Sequence, residues 1–583
     1  MFKKLIPFIL FVLFFQIGKA QNEFITVWKP SLQAPSYPYD GISVNSTNNQ
    51  IWFPGRGTDY QIYWEEIGYP SHHATLANVS SAYQLLVDFG TPLNPNPTDA
   101  TYRLKVSQGN GNFHQIRFAD WDMLSGNAIV GDVHKILKVE QWGNIQWSSM
   151  EQAFQACKVL DIPATDIPNL STVTDMSNMF AGCYNFIGNP TINNWDISNV
   201  TTLLGTFSGC FVFNQPVGNW NTSNVLYMGI TFSVAKLFNQ PLENWNTSKV
   251  LTMTAMFDGA KEFNQPIGNW NLSNTLDCEF MFSGALKFNQ PIGNWNTTKV
   301  IEMNYMFNNA KVFDQNISNW NTENVTDMQG MFNGAENFNQ NIENWNVGKV
   351  TQMYDMFNGA KKFNQSIGNW DVSKVIWMQN MFKNANQFNQ NLKNWNVSLV
   401  TNMSNMFNGA TNFNQNLGSW NLNSLTSASG MLLNSGLNCQ NYDNTLYGWN
   451  IKPTTPNNVN LGSVSPLIYS NPIAVNARNN LMSNKAWIIT GDTYNGECQS
   501  VLSTSETISK NEISIYPNPA TDFIYVKILK GSNNYKIFDA SGRIVLQDDL
   551  KTEKINISIL TKGNYILQII SKDQIQSFKF IKN

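Results

Sequence analysis

Residues 263–285 read FNQPIGNWNLSNTLDCEFMFSGA, and variants of this stretch recur through the middle of the chain. Tryptophan returns every 25 residues, at Trp195, Trp220, Trp245, Trp270, Trp295, Trp320, Trp345, Trp370, Trp395 and Trp420. A phenylalanine column follows with the same spacing, at Phe207, Phe232, Phe257, Phe282, Phe307, Phe332, Phe357, Phe382 and Phe407. Earlier phenylalanines extend the second column backwards, so we count about twelve repeats within residues 139–435.

A fixed period of this length is typical of a solenoid, because one unit cannot bury its apolar residues alone and must stack on its neighbours. We therefore expect a mainly β fold, a parallel solenoid of about twelve 25-residue rungs. The stretch from Phe263 to Trp270 predicts a short strand that pairs in parallel between rungs. The apolar spacing of Met353, Met356 and Phe357, followed by Gly359, predicts a single helical turn closed by glycine.

The repeat resembles the 25-residue unit of bacterial surface proteins grouped as BspA-like leucine-rich-repeat proteins. The matching elements are Phe-Asn-Gln-x-Ile-x-x-Trp-Asn, the Met-x-x-Met-Phe turn and the following Gly-Ala or Gly-Cys. The resemblance covers roughly half of the chain. It implies a leucine-rich-repeat-like solenoid, secretion, surface display, and binding or adhesion.

Two repeat columns allow two interpretations each. Stacked tryptophans form either an exposed aromatic platform for sugars or, as we favour, core packing. The asparagine column that includes Asn239 and Asn264 is either a polar binding face or an amide ladder that satisfies backbone groups from rung to rung. Asp314 replaces asparagine in one rung, which we expect an amide ladder to tolerate only at a solvated edge.

The composition disfavours catalysis. Among 583 residues only 13% are charged, about half of the usual share of roughly 25%, and four are histidine. The net charge of −3 gives no basic footprint for nucleic acid. We expect no enzyme activity, no cofactor and no metal ion.

The first 20 residues have the pattern of a secretory signal peptide. Lys3 and Lys4 precede an apolar run of 11 residues, and Gly18-Lys19-Ala20 supplies a cleavage site after Ala20. The run is too short to span a bilayer, which takes about 20 residues. We expect an exported chain without a transmembrane span.

Residues 21–138 lack the repeat. Strand-like runs at 60–64, 83–89 and 102–106 predict a β-sandwich. The region weakly resembles the PKD-like, immunoglobulin-type domain found before such repeats, although Trp64-Glu-Glu-Ile-Gly replaces that family's Trp-Gly-Asp-Gly turn.

Residues 436–500 predict a cap that covers the last rung, with short helices at 442–449 and 477–482 and a closing strand at 485–491. Cys439 and Cys498 flank this cap and could form a disulfide in an exported protein. Cys157, Cys183 and Cys210 share one repeat column, where later rungs carry alanine. We favour buried free thiols there, with one bridged pair as the alternative.

Residues 501–512 predict a linker, and residues 513–583 closely resemble the C-terminal sorting domain of type IX secretion substrates. The resemblance rests on Tyr516-Pro517-Asn518-Pro519, on Gly542-Arg543 and on the Gly563-Asn-Tyr565 strand. It implies a small β-sandwich that the type IX secretion machinery recognises. With the signal peptide, it implies export through the periplasm to the medium or the outer cell surface.

Few residues outside the repeats qualify for chemistry. Glu65 and Glu66 are adjacent on a strand and face opposite sides. Asp120 and Asp122 share a face and could bind calcium, but a solvated edge is the simpler interpretation. We expect His72 and His73 in a surface loop without acidic partners.

Three functions remain open. We favour a non-catalytic surface scaffold for binding or adhesion, with an unknown glycan or protein ligand and avidity from multivalent display. The alternatives are a structural spacer or matrix component, and a glycan-active enzyme with its site in 21–138. A near-invariant exposed face on the repeats would favour the spacer.

Overall fold

The computed structural model describes residues 22–32, 46–122, 127–498, 514–527, 534–570 and 575–583. Within these described ranges the fold is mainly β, and only two short segments are α-helical. The chain divides into two compact units, Met1–Leu502 and Ser503–Asn583. The predicted signal peptide with Ala20 and the predicted linker at 501–512 lie outside the described residues.

The N-terminal module is built from antiparallel strands. The strands are β1 Phe24–Trp28, β2 Gln50–Phe53, β3 Gly55–Glu66, β4 Tyr69–Ser81, β5 Leu85–Asp88, β6 Tyr102–Ser107, β7 Asn112–Ile116, β8 Ala119–Asp122, β9 Asn127–Val130 and β10 Ile136–Gln141. One sheet has the order β10-β1-β6-β3-β4, with β7 also paired to β3, and two-stranded sheets join β2 with β5 and β8 with β9. A short 3₁₀ helix, Pro97–Asp99, precedes β6.

Strand β10 joins this module to the repeats. It pairs with β1, and its Lys138 also forms a parallel bridge with Asp161. The strand therefore crosses the predicted boundary between residues 138 and 139, and one apolar core runs from Phe24 through the repeats to the cap.

Successive repeats are linked by single parallel bridges rather than by long strands. We call the bridged residues the ladder column: Asp175, Thr202, Tyr227, Thr252, Asp277, Glu302, Asp327, Gln352, Trp377, Asn402 and Ser427. Alternate N–H groups donate to carbonyl oxygens of the next repeat at 2.7–3.1 Å: Met353 to Trp377, Asp355 to Gln379, Phe357 to Met381 and Gly359 to Lys383. We call the repeats that are joined in this way, within residues 139–435, the repeat stack.

The predicted helical turn is wrong. Asp355 has a φ of +57°, in the left-handed region, and its N–H group bonds to the next repeat instead of within a helix. The N–H groups between the donors close tight turns, as Met356 does on the carbonyl of Met353 at 3.3 Å. Residues 353–359 are therefore a series of turns, and the N–H groups that do not close these turns donate to carbonyl oxygens of the next repeat.

The predicted strand position is also wrong. Parallel pairing occurs at the ladder column, seven residues after each tryptophan from Trp220 onward, and not between Phe263 and Trp270. In several repeats that stretch contains proline, such as Pro266, which has no N–H to donate. Asparagine side chains make the rung-to-rung bonds there instead.

Two phenylalanine columns fill the repeat stack. From Phe207 to Phe407 the rings of neighbouring repeats stack with centroids 5.5–5.8 Å apart. Each also stacks on the phenylalanine six residues later, as Phe257 does on Phe263 at 3.9 Å. All of these rings are buried, so each repeat removes the apolar surface of its neighbours from water.

The tryptophan column is buried as well, with at most 4% of any side chain exposed between Trp195 and Trp420. From Trp220 onward each indole Nε1–H donates to the carbonyl 28 residues earlier, as Trp295 does to Ile267 at 3.0 Å. Each indole ring is therefore buried in the core, and its Nε1–H forms a hydrogen bond to the previous repeat.

The asparagine column forms a ladder of acceptors. Asn239 Oδ1 accepts the backbone N–H of Asn264 at 2.9 Å and the Nε2 of Gln265 at 3.0 Å, and this pair of bonds recurs along the stack. Asp314 fits because only the Oδ1 atom is used, accepting from Asn339 and Gln340 at 2.9 Å. The Asp314 side chain is only partly buried, which is compatible with the expected solvated edge, and its Oδ1 takes the acceptor role of the asparagine amide.

The cap continues these ladders with different secondary structure. It contains α1 Cys439–Ile451, β11 Asn460–Ser463, β12 Ile468–Tyr469, α2 Pro472–Ser483, β13 Ile488–Thr490 and β14 Thr493–Tyr494. The helices lie where they are predicted. Trp449 on α1 donates its Nε1–H to the Leu417 carbonyl at 3.0 Å, and Asn460 bridges to Ser427.

A disulfide joins Cys439, at the start of α1, to Cys498. Cys157, Cys183, Cys210 and Cys278 are free and fully buried. The Cys183 thiol donates to the carbonyl of Phe154, and the Cys210 thiol donates to that of Phe180. Burial raises the pKa of all four free thiols above its ordinary value, so they are poor nucleophiles.

The second unit contains two antiparallel sheets around one small core. The strands are β15 Ser514–Tyr516, β16 Phe523–Lys527, β17 Asn534–Phe538, β18 Ile544–Asp549, β19 Lys554–Asn556, β20 Gly563–Ile570 and β21 Ile575–Lys582. The first sheet has the order β15-β16-β19 and the second has the order β18-β17-β20-β21. Across the described parts of both units, no helix has the length and apolar character that a membrane crossing requires.

The acceptor ladder predicts that two substitutions of Asn239 differ in their effect on the free energy of unfolding. Asn239→Asp keeps the Oδ1 acceptor and should leave the free energy of unfolding nearly unchanged. Asn239→Ala leaves the Asn264 N–H without its acceptor and should cost about 1–2 kcal/mol. Urea titrations followed by tryptophan fluorescence compare the two. Equal losses in both variants would show that the acceptor is not what matters.

The cysteine geometry predicts a thiol count. Iodoacetamide should modify no cysteine in the native chain and four after denaturation without reductant, because Cys439 and Cys498 are bonded to each other. Adding reductant to the denatured chain should raise the number to six. Peptide mass spectrometry identifies the modified positions, and labelling of Cys183 in the native chain would contradict its burial.

Candidate functional site

The residue type of the ladder column varies along the repeat stack. All eleven side chains are partly or fully exposed, with Tyr227 and Trp377 exposed by 43% and 41%. The column contains carboxylates, hydroxyls, amides and two aromatic rings, whereas the buried columns repeat tryptophan and phenylalanine. The fold therefore fixes the core and leaves this face free to carry different chemistry in each repeat.

The regular Asn-Gln face is less available for ligands. Its Asn Oδ1 atoms and Gln Nε2 atoms are bonded to the adjacent repeats, as in the contact of Gln290 with Asn264 at 3.0 Å. This face therefore holds the repeats together.

A shallow cleft in the cap is a second surface of interest. It is lined by Tyr469, Pro472, Val475, Asn476 and Tyr494, and Tyr494 is 58% exposed. The Arg478 guanidinium lies over the Tyr469 ring, 5.0 Å from its centroid, and Arg478 also pairs with Asp492. One part of the cleft wall is therefore already engaged in the cap's own packing.

The N-terminal module contains a buried carboxylate that pairs with a histidine. Glu66 is buried, and its oxygens accept from the N–H groups of Leu93 and Asn94 at 2.8 Å and lie 2.5 Å from His72 Nδ1. Burial raises the pKa of Glu66, but these hydrogen bonds outweigh burial and hold the pKa below its ordinary value. The group fastens residues 93–94 to β3 and offers no free base.

The expectation of a surface loop for His72 and His73 is therefore wrong. Both lie on β4, and antiparallel pairing with β3 brings His72 to Glu66. Glu65 points away from Glu66 and bonds to Arg103 and Lys105, each at 3.3 Å. Asp120 and Asp122 lie on β8, and their side chains are outside the described part of the chain.

The predicted targeting residues lie around one end of the second unit's sheets and in its turns. Tyr516 is 54% exposed and stacks on Tyr525 at 5.5 Å, and Pro517 and Pro519 follow it. Asn518 Oδ1 accepts the N–H of Ile581 on β21 at 2.9 Å. The segment is therefore tied to the last strand of the unit.

The other predicted targeting residues form turns and core. Gly542 has a φ of +81°, and Arg543 bonds to Asp539 at 3.1 Å across that turn. Hydrogen bonds from Ser541 and Arg543 lower the pKa of Asp539 to about 2. Gly563 begins β20, and the nearly buried Tyr565 donates its hydroxyl to the Thr561 carbonyl at 2.8 Å.

The sequence patterns miss the ladder column as a surface. Its residues have no common type, so a search for repeated residues passes over them, although their spacing of 25 from Thr202 onward is as regular as that of tryptophan. A search for variable positions inside a fixed period would have found them.

The C-terminal unit matches a known family model. Residues 514–583 match a secretion system C-terminal sorting domain. This match indicates handling by the type IX secretion machinery and export to the cell surface or the medium. No curated protein matches the sequence.

The repeats match a second family model in three segments. Its description is "Mycoplasma protein of unknown function, DUF285", and the segments are residues 148–266, 232–343 and 366–462. Together they cover just over half of the chain and nearly all of the repeat stack. The chain therefore belongs to the DUF285 family of repeat proteins.

Proposed function

We propose that the chain is a secreted surface protein whose repeats form a leucine-rich-repeat-like solenoid of about twelve rungs and act as a non-catalytic scaffold for binding or adhesion. One observation carries this proposal. The exposed ladder column changes from repeat to repeat, while the buried columns and the Asn-Gln ladder stay nearly constant. Changing exposed chemistry over a constant core suits recognition.

The flanking regions fit the same role. The antiparallel sheet formed by β1, β3, β4, β6, β7 and β10 is compatible with an immunoglobulin-type or PKD-like sandwich that covers the first repeat. The cap covers the last repeat and is closed by the Cys439–Cys498 disulfide. Both ends of the apolar core are therefore covered, as a stable repeat array needs.

A multivalent mechanism follows from the arrangement. Neighbouring ladder positions are about 4.8 Å apart, the usual distance between paired strands. A ligand that contacts several repeats makes several weak contacts at once, so its avidity exceeds each single affinity.

The two alternatives fit less well. A structural spacer needs no variation along the ladder column, since neutral Thr252 and Asn402 already fit that position. A glycan-active enzyme with its site in 21–138 needs a free acid–base pair, whereas Glu66 is occupied by His72 and two backbone N–H groups.

The proposal predicts that ligand binding depends on the ladder column. Wild-type protein secreted by its host should bind members of a glycan and glycoprotein array. Tyr227→Thr with Trp377→Gln should lose most of that signal without loss of stability, because adjacent repeats carry Thr252 and Gln352 at the same position. Array fluorescence at matched protein concentration measures the change.

A matched control uses another exposed apolar residue. Leu237 is 49% exposed, and the next repeat carries Glu262 at the same place, so Leu237→Glu should fold normally and bind like wild type. Absence of any array signal from the wild type would favour the spacer.

The sorting domain predicts the fate of a truncated chain. Deleting residues 514–583 should leave the protein in the periplasm and reduce the exported fraction at least tenfold, because the secretion machinery has no signal to recognise. Immunoblots of periplasm, cell surface and medium measure the fractions. The Leu237→Glu chain should be exported normally, and normal export of the truncated chain would refute the role of this unit.

A further inference from the structure

Three consecutive repeats place a carboxylate on the ladder column. Asp277, Glu302 and Asp327 are linked to one another by parallel bridges, so their backbones are about 4.8 Å apart. Glu279 lies two residues after Asp277 on the same side of the stack. Four partly buried carboxylates therefore lie close together on one side of the repeat stack.

The described part of the chain supplies no ion-pair partner for these carboxylates. Among the described residues, no lysine or arginine lies within 4.0 Å of these four carboxylates. Neutral groups donate to them instead: Thr254 to Asp277, Asn304 to Glu279 and Thr326 to Glu302.

Two acids elsewhere on the repeat stack form ion pairs with lysine. Lys287 lies 2.5 Å from Glu262, and Glu336 accepts from both Lys311 and Lys361 at 3.3 and 2.7 Å. Among the described residues, other acids such as Asp258 and Asp355 also lack a lysine or arginine within 4.0 Å, so the group at 277–327 is distinguished by its position on three consecutive repeats.

The charges oppose folding. Burial raises the pKa of Glu302, and the carboxylates of Asp327, Asp277 and Glu279 raise it further. Burial also raises the pKa of Asp327, with a contribution from Glu279. Since threonine, glutamine and asparagine occupy the same column in other repeats, the stack does not need acids here.

Aromatic rings lie beside the carboxylates. Phe280 and Tyr305 stack with centroids 4.8 Å apart and planes 10° from parallel. The pKa of Tyr354 is raised by burial and then by Tyr305 and Asp327, which places its hydroxyl near both. Trp377 continues the column and is 41% exposed.

Two exposed aliphatic side chains are adjacent in sequence to the acids. Leu276 and Ile301, each one residue before a ladder carboxylate, are 43% and 39% exposed. The face therefore combines negative charge, flat rings and apolar contact area. We call it the acidic–aromatic face and define it by Asp277, Glu279, Glu302, Asp327, Tyr305 and Trp377.

We propose that the acidic–aromatic face binds an extended, arginine-rich segment of a partner protein. A guanidinium group pairs with carboxylates through two parallel hydrogen bonds and stacks on aromatic rings, so it uses both features of this face. The proposal rests on the proposed binding function of the repeat stack and names the class of partner.

The dimensions fit an extended segment and not a metal ion. From residue 277 to residue 377 the column spans four repeat steps, about 19 Å, which is the length of about six residues of extended chain. Among the described residues, no three acidic, histidine or cysteine side chains converge so that they could hold a metal ion. The charges are spread along a line, as a linear polycation requires.

The test uses the full secreted chain and a fluorescein-labelled peptide of four Arg-Ser repeats. Anisotropy titrations at two salt concentrations should show binding that weakens with salt. Glu302→Gln with Asp327→Asn should weaken binding at least tenfold. Glu243→Gln with Glu323→Gln removes the same charge from exposed positions outside the face, and that variant should bind like wild type.

A stability measurement separates a binding role from a structural one. Because folding raises the pKa of Glu302 and Asp327, ionisation destabilises the native chain once the pH exceeds the ordinary carboxyl range. The double variant should therefore melt at a higher temperature than wild type at pH 7.5, and the difference should vanish near pH 3.5. A lower melting temperature at pH 7.5 would overturn the assignment, since the acids would then be structural.

The binding outcomes distinguish the two proposals. Equal affinity of the two double variants, or no binding of the peptide to wild type, would overturn the acidic–aromatic face as an arginine site. If wild type binds array ligands and the Tyr227→Thr, Trp377→Gln variant does not, the scaffold function stands although the arginine site is refuted. If the array is also silent, the scaffold function fails with it.

Discussion

Hydrogen bonds between neighbouring repeats are the constraint on which the structure depends. A 25-residue unit has no sheet or helix of its own: some of its N–H groups close turns within the repeat, and many of the others find acceptors in the neighbouring repeats. Backbone carbonyls accept them in the 353–359 region, and asparagine Oδ1 atoms do so near Asn239 and its equivalents. Buried tryptophan and phenylalanine columns then stack because the backbones are already held in register.

The sequence alone predicts much of this arrangement. The period of 25 predicts stacked repeats and a mainly β chain, and apolar columns in that period predict a continuous core. The local conformation was not predictable in the same way. The spacing of Met353, Met356 and Phe357 fits a helical turn equally well, and only the acceptors in the next repeat select the left-handed backbone at Asp355.

Contacts that do not follow the 25-residue period cannot be found by searching the sequence for repeated residues. Trp449 follows Trp420 by 29 residues and lies on a helix, yet its indole donates to the stack as the earlier tryptophans do. Likewise, the pairing of Glu66 with His72 depends on the register of β3 and β4, which no residue pattern in the sequence indicates. Because buried contacts hold the repeat stack together, the residues of the ladder column can vary. At residues 277–327 this column carries carboxylates whose ionisation opposes folding.

Residue-resolved hydrogen exchange on the full chain tests the stacked structure most directly. The N–H groups of Met353, Asp355, Phe357 and Gly359, and their equivalents in the inner repeats, should exchange slowly and at similar rates. The N–H of Asn264 should be protected as well, and its protection should fall in Asn239→Ala but not in Asn239→Asp. Fast exchange at these positions in the inner repeats would contradict a stack held by bonds between repeats.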